Sequence, residues 1–130
     1  MNEEITKLLK KLNSGPERAE IKLVDLFVND KPYQFYNIEN VTLFDLKGYS
    51  GIFFYCPVIN GHIDVHSILY MGESEELSSV VPPLGLWGKL REPTDMKLYI
   101  ALQEPEKIES VRKVLFEKLI KEYSPLHIAQ

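Results

Sequence analysis

The sequence predicts an α+β fold, in which a small mixed three-stranded sheet is flanked by helices and extended by an N-terminal helix and a β-hairpin. Apolar stretches of strand length occupy residues 52–58, 66–71 and 96–103. Apolar side chains recur at helical spacing over residues 3–12 and 105–123. With 130 residues, 45% of them apolar, the chain is long enough to bury a core.

The first 44 residues are predicted to form an extension that packs on a main domain comprising residues 45–130. In the extension, leucine and isoleucine side chains repeat at helical spacing over residues 3–12. Residues 21–28 are rich in strand-forming side chains, and an Asn-Asp-Lys-Pro turn leads to an aromatic segment at 33–36. This pattern predicts a hairpin.

The main domain begins with a predicted strand at residues 52–58. Asn60-Gly61 is typical of a tight hairpin turn, and residues 66–71 then form the return strand. Ser74 is predicted to cap a short helix, because two glutamates follow it where the helix dipole favours acids. Prolines 82 and 83 end that helix.

The last two predicted elements are a strand at residues 96–103 and a long helix at 105–123. Arg112 lies within the apolar stripe of this helix. Either its stem packs while its head reaches water, or it is a buried partner for a carboxylate such as Asp45 or Glu117. The predicted stripe consists of Ile108, Val111, Leu115, Phe116, Leu119, Ile120 and Tyr123.

Charge and cysteine content restrict the possible partners and compartment. The net charge of −4 disfavours binding to nucleic acid through phosphates, which needs a basic face, so a protein partner is favoured over nucleic acid. No apolar run reaches the length of a membrane span, which predicts no membrane partner. The single cysteine, Cys56, lies in a predicted strand; it indicates a small core residue and a reducing, cytoplasmic location.

Three short motifs occur in order along the main domain. Gly51-Ile52-Phe53 opens the first strand, Tyr70-Met71-Gly72 closes the second, and the chain ends in Leu-Ile-Lys-Glu-Tyr-Ser-Pro over residues 119–125. With the Asn-Gly hairpin between the tripeptides, this set resembles the GIY-YIG nuclease superfamily over roughly residues 45–128. The resemblance implies the fold predicted above.

In that family the chemistry is metal-dependent hydrolysis of phosphodiesters. Its site uses a tyrosine from each tripeptide, an arginine on the short helix, a magnesium-binding glutamate on the long helix and, often, an asparagine after the terminal proline. In this chain those roles fall on Phe53, Tyr70, Val80, Phe116 and, for the asparagine, His127 or Ile128. The resemblance therefore implies a degenerate member that has lost endonuclease activity, needs no cofactor and serves as a binding or interaction module.

An active enzyme is the alternative within the same family. Its site would be rearranged around the Mg²⁺ ion, with Tyr55 in place of the missing first tyrosine. Tyr55 lies two residues after Phe53 and so shares its strand face. The rearranged site would consist of Tyr55, Tyr70, Arg91 and Glu117.

A metal-binding protein of another class is a further alternative. His62, Asp64 and His66 alternate along the sequence, so an extended strand would direct all three side chains to one face. Imidazole and carboxylate groups suit zinc or iron. A polar hairpin rim accounts for the same pattern without a metal.

Overall fold

The computed structural model of the protein describes residues 6–8, 10, 21–38, 41–83, 85–86, 88, 96–102 and 109–129. The strands within these residues are β1 Ile21–Val28, β2 Lys31–Ile38, β3 Gly51–Ile59, β4 His62–Ile63, β5 Tyr70–Ser74, β6 Met96–Leu102 and β7 His127–Ile128. These seven strands form a mixed sheet in the order β1-β2-β6-β3-β5-β7, and β4 pairs with β3 off this path. Their pairings are antiparallel except the one between β5 and β7.

Helical structure is limited within the described part of the chain. The C-terminal helix, Glu109–Tyr123, is the one long helix there. Residues 6–8, 10, 85–86 and 88 are also helical. Single 3₁₀ turns occur at Leu43–Leu46, Val65–Ser67 and Leu77–Ser79.

The predicted α+β class, with a three-stranded sheet flanked by helices, is wrong, because the fold is mostly a seven-stranded mixed sheet. The hairpin β1–β2 joins this sheet through β2 and β6, where Tyr36 pairs with Ile100. The Asn37 side-chain amide also donates to the Leu98 carbonyl at 2.9 Å. The sequence reveals the hairpin through its local turn, but the pairing with β6 joins residues far apart in sequence.

The short helix predicted to start at Ser74 is also wrong. Ser74 is the last residue of β5, and Glu76 instead caps the 3₁₀ turn Leu77–Ser79. The Glu76 carboxylate accepts hydrogen bonds from the Ser78 hydroxyl at 2.7 Å and from the Gly48 backbone N–H at 2.9 Å. The acidic residue therefore ties this turn to a neighbouring loop instead of starting a helix.

The return strand predicted at residues 66–71 begins later, at Tyr70, because Val65–Ser67 forms a 3₁₀ turn. Several other local predictions are confirmed. The strands predicted at 52–58 and 96–103 span Gly51–Ile59 and Met96–Leu102 within the described residues, and the last helix ends at Tyr123 as predicted. The predicted N-terminal helix is helical at residues 6–8 and 10, and its other residues lie outside the described part.

Both predicted hairpin turns are confirmed. Asn29 and Asp30, between β1 and β2, have φ angles of 51° and 66°, and Asn60 and Gly61, between β3 and β4, have 52° and 79°. Two successive positive φ angles match the tight turns whose twist suits antiparallel strands.

The sheet buries side chains on both of its faces. Along β3, successive side chains alternate between them. The Phe53 face is covered by Leu8, the 3₁₀ turns at 43–46 and 77–79, and Leu86. The other face, here called the helix face, carries Phe54, Cys56 and Met71 and packs against the C-terminal helix. Cys56 is fully buried there, as the sequence predicts.

Over its described residues, the C-terminal helix packs on the sheet through the predicted stripe, with an exception at Val111. Leu119 and Tyr123 are buried as expected, but Val111 is 51% exposed while Arg112 is only 5% exposed. Consecutive side chains point about 100° apart around a helix, so Val111 faces outward when Arg112 is buried.

Gly51 is required where β3 passes β6. A Cβ atom built on Gly51 would overlap the Ala101 carbonyl oxygen, and backbone atoms cannot move aside as a flexible side chain can. We expect Gly51→Ala to lower the free energy of unfolding by about 2–3 kcal/mol through this overlap.

Urea unfolding followed by circular dichroism measures this loss. Gly85→Ala is the matched control, since a Cβ there meets nothing within 4 Å. The control should keep or slightly raise stability, because alanine favours a helix. Equal stability of Gly51→Ala and wild type would contradict the β3–β6 packing.

Candidate functional site

The two tripeptide motifs lie side by side in the sheet. In the β3–β5 pairing, Phe53 is opposite Gly72 and Tyr55 is opposite Tyr70. The Phe53 and Tyr70 rings meet edge to face with centroids 5.5 Å apart, and the Tyr55 and Tyr70 rings are 6.5 Å apart. Three aromatic rings therefore pack together on the Phe53 face.

Gly72 makes room for the Phe53 ring. A Cβ atom on Gly72 would come within 2.7 Å of that ring and 2.5 Å of the Ala129 side chain. Phe53 is fully buried and so has little freedom to move away. Gly72 and Phe53 therefore have a packing role that does not depend on any catalytic activity.

A cleft of about 440 Å³ opens beside Tyr70, between β5, β7 and the segment after the 3₁₀ turn at 77–79. We call it the Tyr70 cleft. Three positions at which the GIY-YIG resemblance places site residues line it, namely Tyr70, Val80 and Ile128. The remaining lining residues are Glu73, Ser74, Ser79, Val81, Pro83 and Ala129.

The tyrosines near the cleft are weak acids. Burial, and then the neighbouring Tyr70, raise the pKa of Tyr55 to about 12, and burial also raises the pKa of Tyr70. A general base works best when its pKa lies near the working pH. Both phenols stay protonated near neutral pH, which disfavours Tyr55 as a substitute for the missing tyrosine.

Glu73, in the cleft wall, forms a buried ion pair with the C-terminal helix. The Arg112 Nε atom lies 2.6 Å from Glu73 Oε2, and the two side chains are only 4% and 18% exposed. Arg112 is therefore a buried partner for a carboxylate, but Asp45 and Glu117 are the wrong partners. The sequence signal was an arginine inside an apolar stripe, and only the tertiary fold selects Glu73.

The other positions do not join the cleft. Phe116 packs into the cluster on the helix face, so the sheet separates it from Phe53 and Tyr70. Glu117 is exposed on the same helix. The rearranged nuclease site is therefore only partly assembled: Tyr55 and Tyr70 are adjacent, Glu117 belongs to the opposite layer, and Arg91 lies outside the described residues.

The His62, Asp64 and His66 pattern does not form one strand face, because the strand ends at Ile63. Asp64 caps the next 3₁₀ turn, where its carboxylate accepts from the His66 backbone N–H at 3.1 Å and the Ser67 hydroxyl at 2.7 Å. The His66 ring stacks on the Tyr123 ring of the C-terminal helix. Within the described ranges, no group of three or more His, Cys, Asp or Glu side chains could hold a metal ion.

Comparisons with protein-family models, curated proteins and solved structures found no match. The GIY-YIG resemblance accordingly stays a prediction from the sequence. In the part of the chain that the structure covers, no helix is long and apolar enough to cross a membrane.

Buried tyrosine and cysteine side chains predict that the folded state becomes less stable at alkaline pH. Burial is the main cause that raises the pKa of Tyr55, Cys56 and Tyr99 to about 12, from ordinary values of 10.0, 9.0 and 10.0. The unfolded chain loses these protons first, so the free energy of unfolding should fall as pH rises from about 9 towards 12.

Urea midpoints measured across this alkaline range test the prediction. In Tyr55→Phe and in Cys56→Ala, the free energy of unfolding should fall less steeply with pH, because each substitution removes one buried ionisable group. A free energy of unfolding that stays constant or rises over this range would show that these groups are not protected from ionisation.

Proposed function

We propose that this chain is a nuclease-like interaction domain, related to the GIY-YIG superfamily but without its phosphodiester hydrolysis. In this proposal the Tyr70 cleft, whose lining combines polar and apolar side chains, binds a segment of a protein partner. The main support is that a cleft opens where the resemblance predicts a site, yet valine and isoleucine occupy two of the positions that line it.

The side chains around the cleft argue against catalysis. Phe53 has no hydroxyl and is fully buried against Tyr70. Val80 cannot stabilise phosphate charge as an arginine does. Phe116, where the resemblance needs a metal-binding glutamate, has no oxygen and lies on the opposite face of the sheet.

Charge and exposure favour a protein over nucleic acid as the partner. Glu75 and Glu76 follow directly after β5, so a phosphate at this edge of the cleft would meet negative charge. Two large apolar side chains of the cleft face solvent, since Val81 is 76% and Ile128 is 44% exposed. A bound segment would remove these two apolar side chains from water, which stabilises the complex by about 25 cal/mol per Å² of buried apolar surface.

A cytoplasmic location belongs to the same proposal. Cys56 is a buried free thiol, and the chain has no second cysteine with which to form an internal disulfide. A reducing compartment suits such a chain.

We expect the purified protein to leave supercoiled plasmid DNA uncut in the presence of Mg²⁺ or Mn²⁺, because the acid, base and cation of the family site are missing. Agarose electrophoresis over a time course measures nicking. Nicking by wild type that is lost in Tyr70→Phe or Glu117→Ala would establish the active-nuclease alternative in place of this proposal.

A capture experiment tests the binding role itself. Tagged wild type should retain a cellular protein partner that the double variant Val81→Asp/Ile128→Asp loses. Leu23→Asp is the matched control, because Leu23 is also exposed, at 54%, but lies on β1 away from the cleft. Retention by all three proteins, or by none, would contradict the cleft as the binding site.

A further inference from the structure

A second apolar groove lies on the helix face, between the C-terminal helix and the start of β2. We call it the helix groove. It has a volume of about 480 Å³. Its walls include Tyr33 from β2 and Val111, Val114 and Leu115 from the helix, and it is bordered by Lys31 and Lys118.

The two valines contribute little to the fold in this position. Val111 and Val114 are 51% and 52% exposed, and residues three apart on a helix are neighbours on its surface. Valine is also a weaker helix former than leucine, alanine or lysine. An exposed valine pair therefore offers apolar surface to a partner at a small cost to the helix.

The charges bordering the groove are positive, although the whole chain carries −4. The Lys31 ammonium lies 5.3 Å from the centroid of the Tyr33 ring. Within the described part of the chain, neither Lys31 nor Lys118 forms an ion pair, whereas Lys113 on the same helix binds Glu109 at 2.8 Å. The two ammonium groups are therefore available to bind carboxylates of a partner molecule.

We propose that the helix groove docks a segment of a partner protein in which apolar side chains are flanked by aspartate or glutamate. The apolar side chains pack on Val111, Val114 and Tyr33, and the carboxylates bind Lys31 and Lys118. This inference is independent of the Tyr70 cleft, because the helix groove lies on the opposite face of the sheet. Two lysines beside an apolar surface suit such a segment better than the continuous basic face that phosphates require.

Selection from a random peptide library on the immobilised full-length protein provides the probe. We expect the enriched peptides to combine two or three Val, Ile, Leu or Phe residues with flanking Asp or Glu. A selected peptide is then synthesised with a fluorescent label, and its affinity for each protein variant is measured by fluorescence anisotropy.

Lys31→Glu/Lys118→Glu should weaken this peptide at least about tenfold, because two attractions become repulsions. Val111→Ser/Val114→Ser should weaken it as well, with the charges intact. Lys22→Glu/Lys47→Glu has the same change in net charge outside the groove and should bind like wild type.

Three outcomes would overturn the proposal. The first is enriched peptides without acidic residues. The second is equal affinity for the groove variants and the control variant. The third is displacement of the peptide by an oligonucleotide, or loss of peptide binding as the protein dimerises at higher concentration. These results would assign the groove to nucleic acid or to a second copy of the chain.

Discussion

The contact between the Phe53 ring and Gly72 is the constraint on which the centre of this structure depends. Phe53 lies on β3, which pairs with β5 on one side and β6 on the other. A side chain on Gly72 would occupy the space of the ring, and a smaller residue at position 53 would leave a cavity in a fully buried cluster. The two motifs therefore hold the central strand in place whether or not the chain performs catalysis.

The packing of Phe53 against Gly72 and Tyr70 needs none of the polar groups that the GIY-YIG resemblance would require. The glycines of the motifs are required by close backbone and ring contacts. At positions 80 and 116, where the resemblance would require polar groups, valine and phenylalanine pack against the two core clusters. Gly51 and Gly72 are accounted for by packing, and the seven-stranded sheet differs from the three-stranded fold that the resemblance implied.

The Glu73–Arg112 ion pair connects both proposed binding surfaces. Glu73 lines the Tyr70 cleft, and its pairing with Arg112 turns the arginine inward. Because Arg112 is buried, Val111 faces solvent and contributes to the helix groove. Removing Arg112 would take away the partner of the Glu73 carboxylate, which is only 18% exposed, and this is more costly than losing a surface pair.

Local patterns in the sequence predicted the elements that depend on near neighbours. The two hairpin turns, β3, β6 and the end of the last helix follow from turn residues, alternation and helical spacing. The β2–β6 pairing, the short strand β7 and the partner of Arg112 join distant residues, and no local signal specifies them. This is why the fold class was wrong although most strands were located.

Of the four motif positions that the sequence places in one site, Tyr70 and Val80 line the cleft and Phe53 does not. Phe116 lies outside the cleft because the C-terminal helix packs on the opposite face of the sheet from Phe53 and Tyr70. Register with a neighbouring strand decides which strand residues lie side by side. The face of the sheet on which a helix packs depends on contacts between residues that are far apart in the sequence.

The stability of Phe53→Tyr tests this account most directly. If position 53 is a dry packing site, the added hydroxyl enters the cluster without a partner, and the free energy of unfolding should fall by about 1–3 kcal/mol. Phe44→Tyr, on a side chain 62% exposed, is the control and should match wild type. A Phe53→Tyr protein as stable as wild type, or one that gains Mg²⁺-dependent nicking of DNA, would contradict the account.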